Sequence, residues 1–151
     1  MTGVQTCALP ISTISNAMDV GNPSNFDRIR ELYGGDSNLI RKDIVGYTFS
    51  DSQTADAMRE VLTSTGYRLD PHGAVGWLGL DRFVAETEHR GAGVFLETAH
   101  PAKFLDVVEA ATGRPVPLPS ALEELKERKK LSVQMGKDYE GFREWIVRNL
   151  I

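Results

Sequence analysis

The chain has 151 residues, of which 41% are apolar, 8% aromatic and 25% charged. This is the balance of one globular domain with a sizeable core, and it excludes a disordered polymer; no apolar run approaches the ~20 residues that a membrane-spanning helix needs. With 17 basic against 21 acidic residues the formal net charge is −4, which argues against a nucleic-acid partner held through its phosphates.

Cys7 is the only cysteine, so an internal disulfide and a cysteine zinc site are both excluded and a reducing, cytoplasmic setting is expected. It lies in Met1 to Ile11, which has neither the basic start nor the long apolar run of a secretory signal. Residues 1–12 read as an artefactual, adapter-like extension or a disordered N-terminus, and residues 13–151 as the folded part.

Ser12 to Ser15 reads as the tail of a strand, and Asn16 to Asn25 as a loop by its Gly, Pro, Asn and Ser content. Ser24 or Asn25 can cap a helix with Phe26, Ile29 and Leu32 on its apolar side, stopped by Gly34-Gly35. Asp36 to Asp43 is polar and reads as a connector. Ile44, Val45, Tyr47 and Phe49 predict a strand, and Ser50, Asp51 and Ser52 offer caps to a helix from about 52 to 65 that ends at Gly66.

Asp70-Pro71 opens the next helix, Asp70 as cap and Pro71 in the first turn, where a missing N–H costs nothing. Its apolar residues cover most of the circumference, predicting a central, covered helix. Gly73, Gly76 and Gly79 thin one face, which points to close packing there. Glu86 to Gly93 is a charged loop. Gly93 to Leu96 reads as a short buried strand, followed by a polar corner (Glu97, Thr98, His100) and a helix from Pro101 to about Gly113. Arg114 to Pro119 is a proline-stiffened connector, Ser120 to Lys130 a charged surface helix, and Asp138 to Leu150 a final amphipathic helix. Helices alternating with short apolar strands argue for an α/β fold with a parallel sheet, yet two or three strands make a thin sheet for so many apolar helix faces.

The corner at the end of the Gly93–Leu96 strand is where such a fold places a ligand site. Thr98 is either a β-branched strand residue with a satisfied hydroxyl or a neutral hydroxyl aimed at a cofactor heteroatom. His100 is either a general base or a cap bonding to local backbone. Lys103 reads as a solvated lysine in a first helical turn rather than a Schiff-base lysine. His72 and His89 have no partners at metal-ligand spacing, and the glycine pairs match neither GxGxxG nor the P-loop.

Ser15-Asn-Ala-Met-Asp-Val-Gly-Asn-Pro-Ser-Asn-Phe26, Asp70-Pro-His-Gly-Ala-Val-Gly76 and Thr98-Ala-His-Pro-Ala-Lys-Phe104, taken together, resemble the threonine synthase family. Their order and spacing resemble the C-terminal portion of its longer bacterial and fungal form, over essentially all of residues 13–151. The resemblance implies part of the tryptophan-synthase-β-like fold, with helices packed on a short, mostly parallel sheet. It implies a lyase that uses pyridoxal 5′-phosphate to convert O-phosphohomoserine and water into threonine and phosphate. It also implies that the Thr98 hydroxyl bonds the cofactor's pyridine nitrogen.

The family's cofactor-bearing lysine and phosphate loop lie earlier in its chain and have no counterpart here, so the chain alone is expected to be inactive. Asp19 and His72 fall in family motifs without an assigned duty. Gly73 stands where the family often has threonine, and Glu97 where it commonly has a small residue; strand alternation turns Glu97 away from Thr98. The alternatives are a free-standing, non-catalytic α/β binding module and a sister enzyme of the same cofactor class acting on another substrate.

Overall fold

The computed structural model describes residues 12–21, 23–125, 127–129 and 131–150. Cys7 and nearly all of the expected artefactual or disordered stretch lie outside them. The chain divides into two compact units, one ending at Pro117 and one beginning at Leu118.

In the first unit α1 spans Phe26–Leu32, α2 Ser37–Asp43, α3 Asp51–Thr65, α4 Pro71–Thr87 and α5 Leu105–Thr112, with 3-10 turns at Asn16–Met18 and Pro101–Phe104. The α3 boundaries follow from local chemistry. The Ser50 hydroxyl accepts from the Gln53 N–H at 3.2 Å, and Gln53 Oε1 accepts from the Ser50 N–H at 2.9 Å, so two donors at the helix start are satisfied reciprocally. At the other end Gly66 takes φ +76°, a left-handed conformation that a side chain would strain, and its N–H returns to the Leu62 carbonyl. Ser50→Ala is expected to lower stability by about 1 kcal/mol, read as a shift in the urea midpoint.

The core is where α3 packs against α4 and α5. Met58, Val61 and Leu62 of α3, Leu69, Ala74 of α4, and Val108 and Ala111 of α5 are among its buried apolar residues. The Arg59 guanidinium also donates from Nε to the Ala111 carbonyl at 3.1 Å, occupying an acceptor in the last turn of α5.

Several expectations are corrected. The predicted connector at Asp36 to Asp43 is helix α2, because the Asp36 carboxylate accepts from the N–H groups of Asn38 and Leu39. The predicted strand tail at Ser12 to Ser15 leads instead into the 3-10 turn at Asn16–Met18. The short, mostly parallel sheet does not form among the described residues. Residues 44–49 and 92–98 are non-helical, as expected, but carry no strand ladder. Both segments line one groove of about 610 Å³ over α4, with Val75 and Leu80 on its floor, and a ladder requires backbones about 5 Å apart.

For the same reason α4 is less covered than its composition predicts. Pro71, Gly73 and Ala74 are buried, but residues 75–80 are only half-buried and, apart from Phe83, residues 81–87 are exposed. Its glycine face does receive the two segments: a Cβ on Gly76 would lie 3.7 Å from Phe95, and one on Gly79 would lie 3.9 Å from Tyr47.

In the second unit α6 covers only Ser120–Glu123, not the longer charged helix predicted to Lys130, and buries no residue. Helix α7 spans Tyr139–Leu150, with Trp145 and Ile146 half-buried and Tyr139, Phe142 and Leu150 exposed.

Candidate functional site

The first turn of α4 is where the quoted sequence motifs come together. Asp70, the helix cap, has a fully buried side chain whose Oδ1 accepts from the His72 N–H at 2.8 Å and lies 2.7 Å from His72 Nδ1. The His72 ring packs against Phe104 with centroids 4.8 Å apart, joining the second motif to the third. On the N-terminal side Thr13 donates to Asp19 twice, from N–H at 2.8 Å and from its hydroxyl at 2.6 Å. These bonds hold the Asp19 carboxyl below the usual carboxylate range, with a smaller contribution from the His72 charge.

Glu97 completes the cluster. Its Oε1 accepts from the Asp70 backbone N–H at 2.9 Å, so the segment before Thr98 is fastened to the start of α4. Burial, and then the adjoining Asp70 carboxyl, push the Glu97 carboxyl up to about 7. Burial acts on Asp70 in the same direction, but bonds from Glu97 and His72 outweigh it and leave its carboxyl below the usual range. The other flanking segment is fastened at the far end of α4, where the Tyr47 hydroxyl donates to Glu86 at 3.0 Å and Arg82 lies over the Tyr47 ring. The groove therefore has anchored walls and exposed rims: Val94 is 84% exposed and Leu96 76%.

Thr98 follows Glu97 and is exposed, and its hydroxyl makes no hydrogen bond among the described residues. His100 is the cap of the 3-10 turn at Pro101, its Nδ1 accepting from the Ala102 N–H at 3.1 Å, which is the local-backbone role. Lys103 is exposed, with Nζ 5.6 Å from the Phe104 ring centroid. Among the described residues no group of His, Cys, Asp and Glu could hold a metal ion.

Residues 73–146 match the family model described as threonine synthase, C-terminal. The threonine synthase of Haemophilus influenzae is 36% identical over 139 residues, covering 92% of this chain and 32% of that protein. That of Serratia marcescens is 38% identical over 137 residues, covering 91% and 31%. Among solved structures, Escherichia coli threonine synthase superposes with a TM-score of 0.71 at 35% identity over 92% of this chain and 31% of that one. The chain belongs to the threonine synthase family. It spans about a third of the length of these relatives and corresponds to their C-terminal region. A further threonine synthase structure, from Brucella melitensis and described as PLP bound, superposes with a TM-score of 0.62 at 31% identity, covering 91% of this chain and 34% of that one.

Sequence reasoning singled out Thr98 and left Asp19 and His72 without a duty. The structure places Asp70 and His72 in one hydrogen-bonded pair beside Phe104. The Asp70–Glu97 carboxyl pair was missed. Its one signal was the pair of departures that the family resemblance implies, a smaller residue at Gly73 and a larger one at Glu97, which fills the space the glycine leaves.

Proposed function

We propose that residues 13–151 form the C-terminal part of a cytoplasmic, pyridoxal-phosphate-dependent lyase that converts O-phosphohomoserine and water into threonine and phosphate. In this reading Thr98 contacts the pyridine nitrogen of the cofactor. The observation that carries it is the exposed, unpartnered Thr98 hydroxyl at the end of a segment fastened to the first turn of α4. A neutral hydroxyl fits a heteroaromatic nitrogen. It can donate a hydrogen bond without holding that nitrogen in its protonated form, as a carboxylate partner would.

Bound pyridoxal phosphate supplies the electron sink that lets protons leave carbon atoms near the substrate's amino group. The described residues contribute orientation. Glu97 and Asp70 hold the Thr98 segment, His100 shapes the turn after it, and Phe104 packs against His72 behind it. The lysine that carries the cofactor and the loop that binds its phosphate belong to the preceding part of the family's chain. That part also fills the groove over α4, and residues 44–49 and 92–98 then become strands of a short, mostly parallel sheet. The small-molecule substrate binds on the same assembled face.

Reconstitution tests the reading. The chain alone, given pyridoxal phosphate and O-phosphohomoserine, is expected to release no phosphate. Mixed with the preceding two-thirds of Serratia marcescens threonine synthase, it is expected to restore release. A mixture that binds the chain yet stays inactive overturns the reading, as does turnover by the chain alone.

A further inference from the structure

We propose that Glu97 is a positioning residue for Thr98: its carboxyl shares one proton with the Asp70 carboxyl, in space left by the missing side chain of Gly73, and so locks the Thr98 segment to the first turn of α4. The positioning role rests on the cofactor reading of Thr98, whereas the lock itself does not.

Geometry carries it. One Glu97 oxygen is used by the Asp70 N–H. The other, Oε2, and Asp70 Oδ2 are both buried without a partner. Two ionised carboxylates offer only acceptors, so neither can satisfy the other. A single proton turns one of them into a donor and satisfies both, as in other carboxyl pairs that cannot both ionise at close range.

Space carries it too. A Cβ on Gly73 would come within 2.5 Å of Glu97 Cδ and 2.7 Å of Oε1, closer than any side chain tolerates. At Gly76 and Gly79 the same construction meets only ordinary contact distances, so of these three only at Gly73 would an added side chain have to displace a neighbour, the Glu97 carboxyl. A side chain reaching from the segment fills volume that a side chain on the helix would otherwise take.

The groups around the pair are few. From the cap and first turn of α4 it meets Asp70 itself and His72, which lies against Asp70 through Nδ1; Asp19 of the N-terminal segment is the next acidic group, near enough to His72 to feel its charge. Lys103, on the turn beyond, lies over the Phe104 ring. The Glu97 carboxyl is raised from 4.5 to about 7. The folded chain therefore holds a proton that the unfolded chain releases, and stability falls as pH rises through that window. Asp70, shifted the other way, contributes its dependence only at more acid pH.

The test uses the 151-residue chain with ¹³C-labelled glutamate and no cofactor. One carboxyl signal is expected to titrate near pH 7 and to vanish in E97Q. The urea midpoint should fall from pH 5 to 8 in the parent chain. In E97Q it should stay flat, since the amide accepts from the Asp70 N–H and donates to Asp70 Oδ2 without needing a proton. G73A should lower the midpoint in the parent chain and be tolerated beside E97G. In the reconstituted mixture E97A should slow phosphate release about tenfold and E97Q should restore it.

A Glu97 carboxyl that titrates in the ordinary range, or a G73A chain as stable as the parent, overturns the lock. A lock that holds while E97A leaves the rate unchanged overturns the positioning role. T98V leaves the Glu97 titration untouched, so failure of the cofactor reading is seen separately.

Discussion

Thr98→Val in the reconstituted enzyme is expected to lower phosphate release about 10- to 100-fold, while Thr98→Ser keeps most of it. Valine preserves the β-branched shape at an exposed position and removes only the hydroxyl. A hydrogen bond whose loss strands its partner costs about 1.5–3 kcal/mol when it supports charge in the reacting state, and each 1.4 kcal/mol is tenfold in rate. Thr98→Asp separates two explanations. If any hydrogen-bonding group suffices, aspartate should work. If neutrality matters, a carboxylate that keeps the ring nitrogen protonated should impair turnover despite making the contact. Steady-state phosphate assays of these variants, each checked for association with the partner segment, decide the matter. Equal rates for Thr98→Val and the parent would end the assignment of Thr98.

Met58→Ala is expected to have the largest effect on folding. Met58 is wholly buried where α3 meets its neighbours, and truncating a buried methionine costs about 2–5 kcal/mol. Domains have only about 5–15 kcal/mol in hand, and a unit with so few buried apolar side chains sits toward the lower end. Met58→Ala should therefore lose its cooperative thermal transition by far-ultraviolet circular dichroism. Val94→Ala is the control. Val94 is 84% exposed, so its truncation should change stability by less than about 0.5 kcal/mol in the chain alone.

What could be read from the sequence was what local chemistry decides. The start of α3 is written in Ser50 and Gln53, its end in Gly66, and the start of α4 in Asp70 and Pro71. Helix α2 was not read because it buries no residue, so it has no apolar period to find; only the Asp36 cap announces it. The charged stretch after Ser120 failed in the opposite sense. Its charges suit an exposed helix, but α6 has no buried face to extend it beyond Glu123.

Residues 44–49 and 92–98 have the apolar pattern of strands, and the pattern cannot say whether another backbone lies within bonding distance. At the site, the cap role of His100 was legible as one of two alternatives from its place before Pro101, whereas the role proposed for Thr98 rests on the family resemblance. Glu97 was read by alternation alone. Alternation predicts direction, and it is silent about a second carboxyl twenty-seven positions back in the chain waiting at a helix cap.

The close approach of Glu97 to Gly73 also constrains how this protein can change. While glutamate occupies position 97, every substitution at 73 that adds a side chain meets the carboxyl and must push it off the Asp70 N–H, so that route costs the lock. Once position 97 becomes small, the vacated volume favours refilling from the helix. Mutations at the two positions therefore have a favoured order, with the segment changing before the helix, and the effect of either one depends on which residue stands at the other.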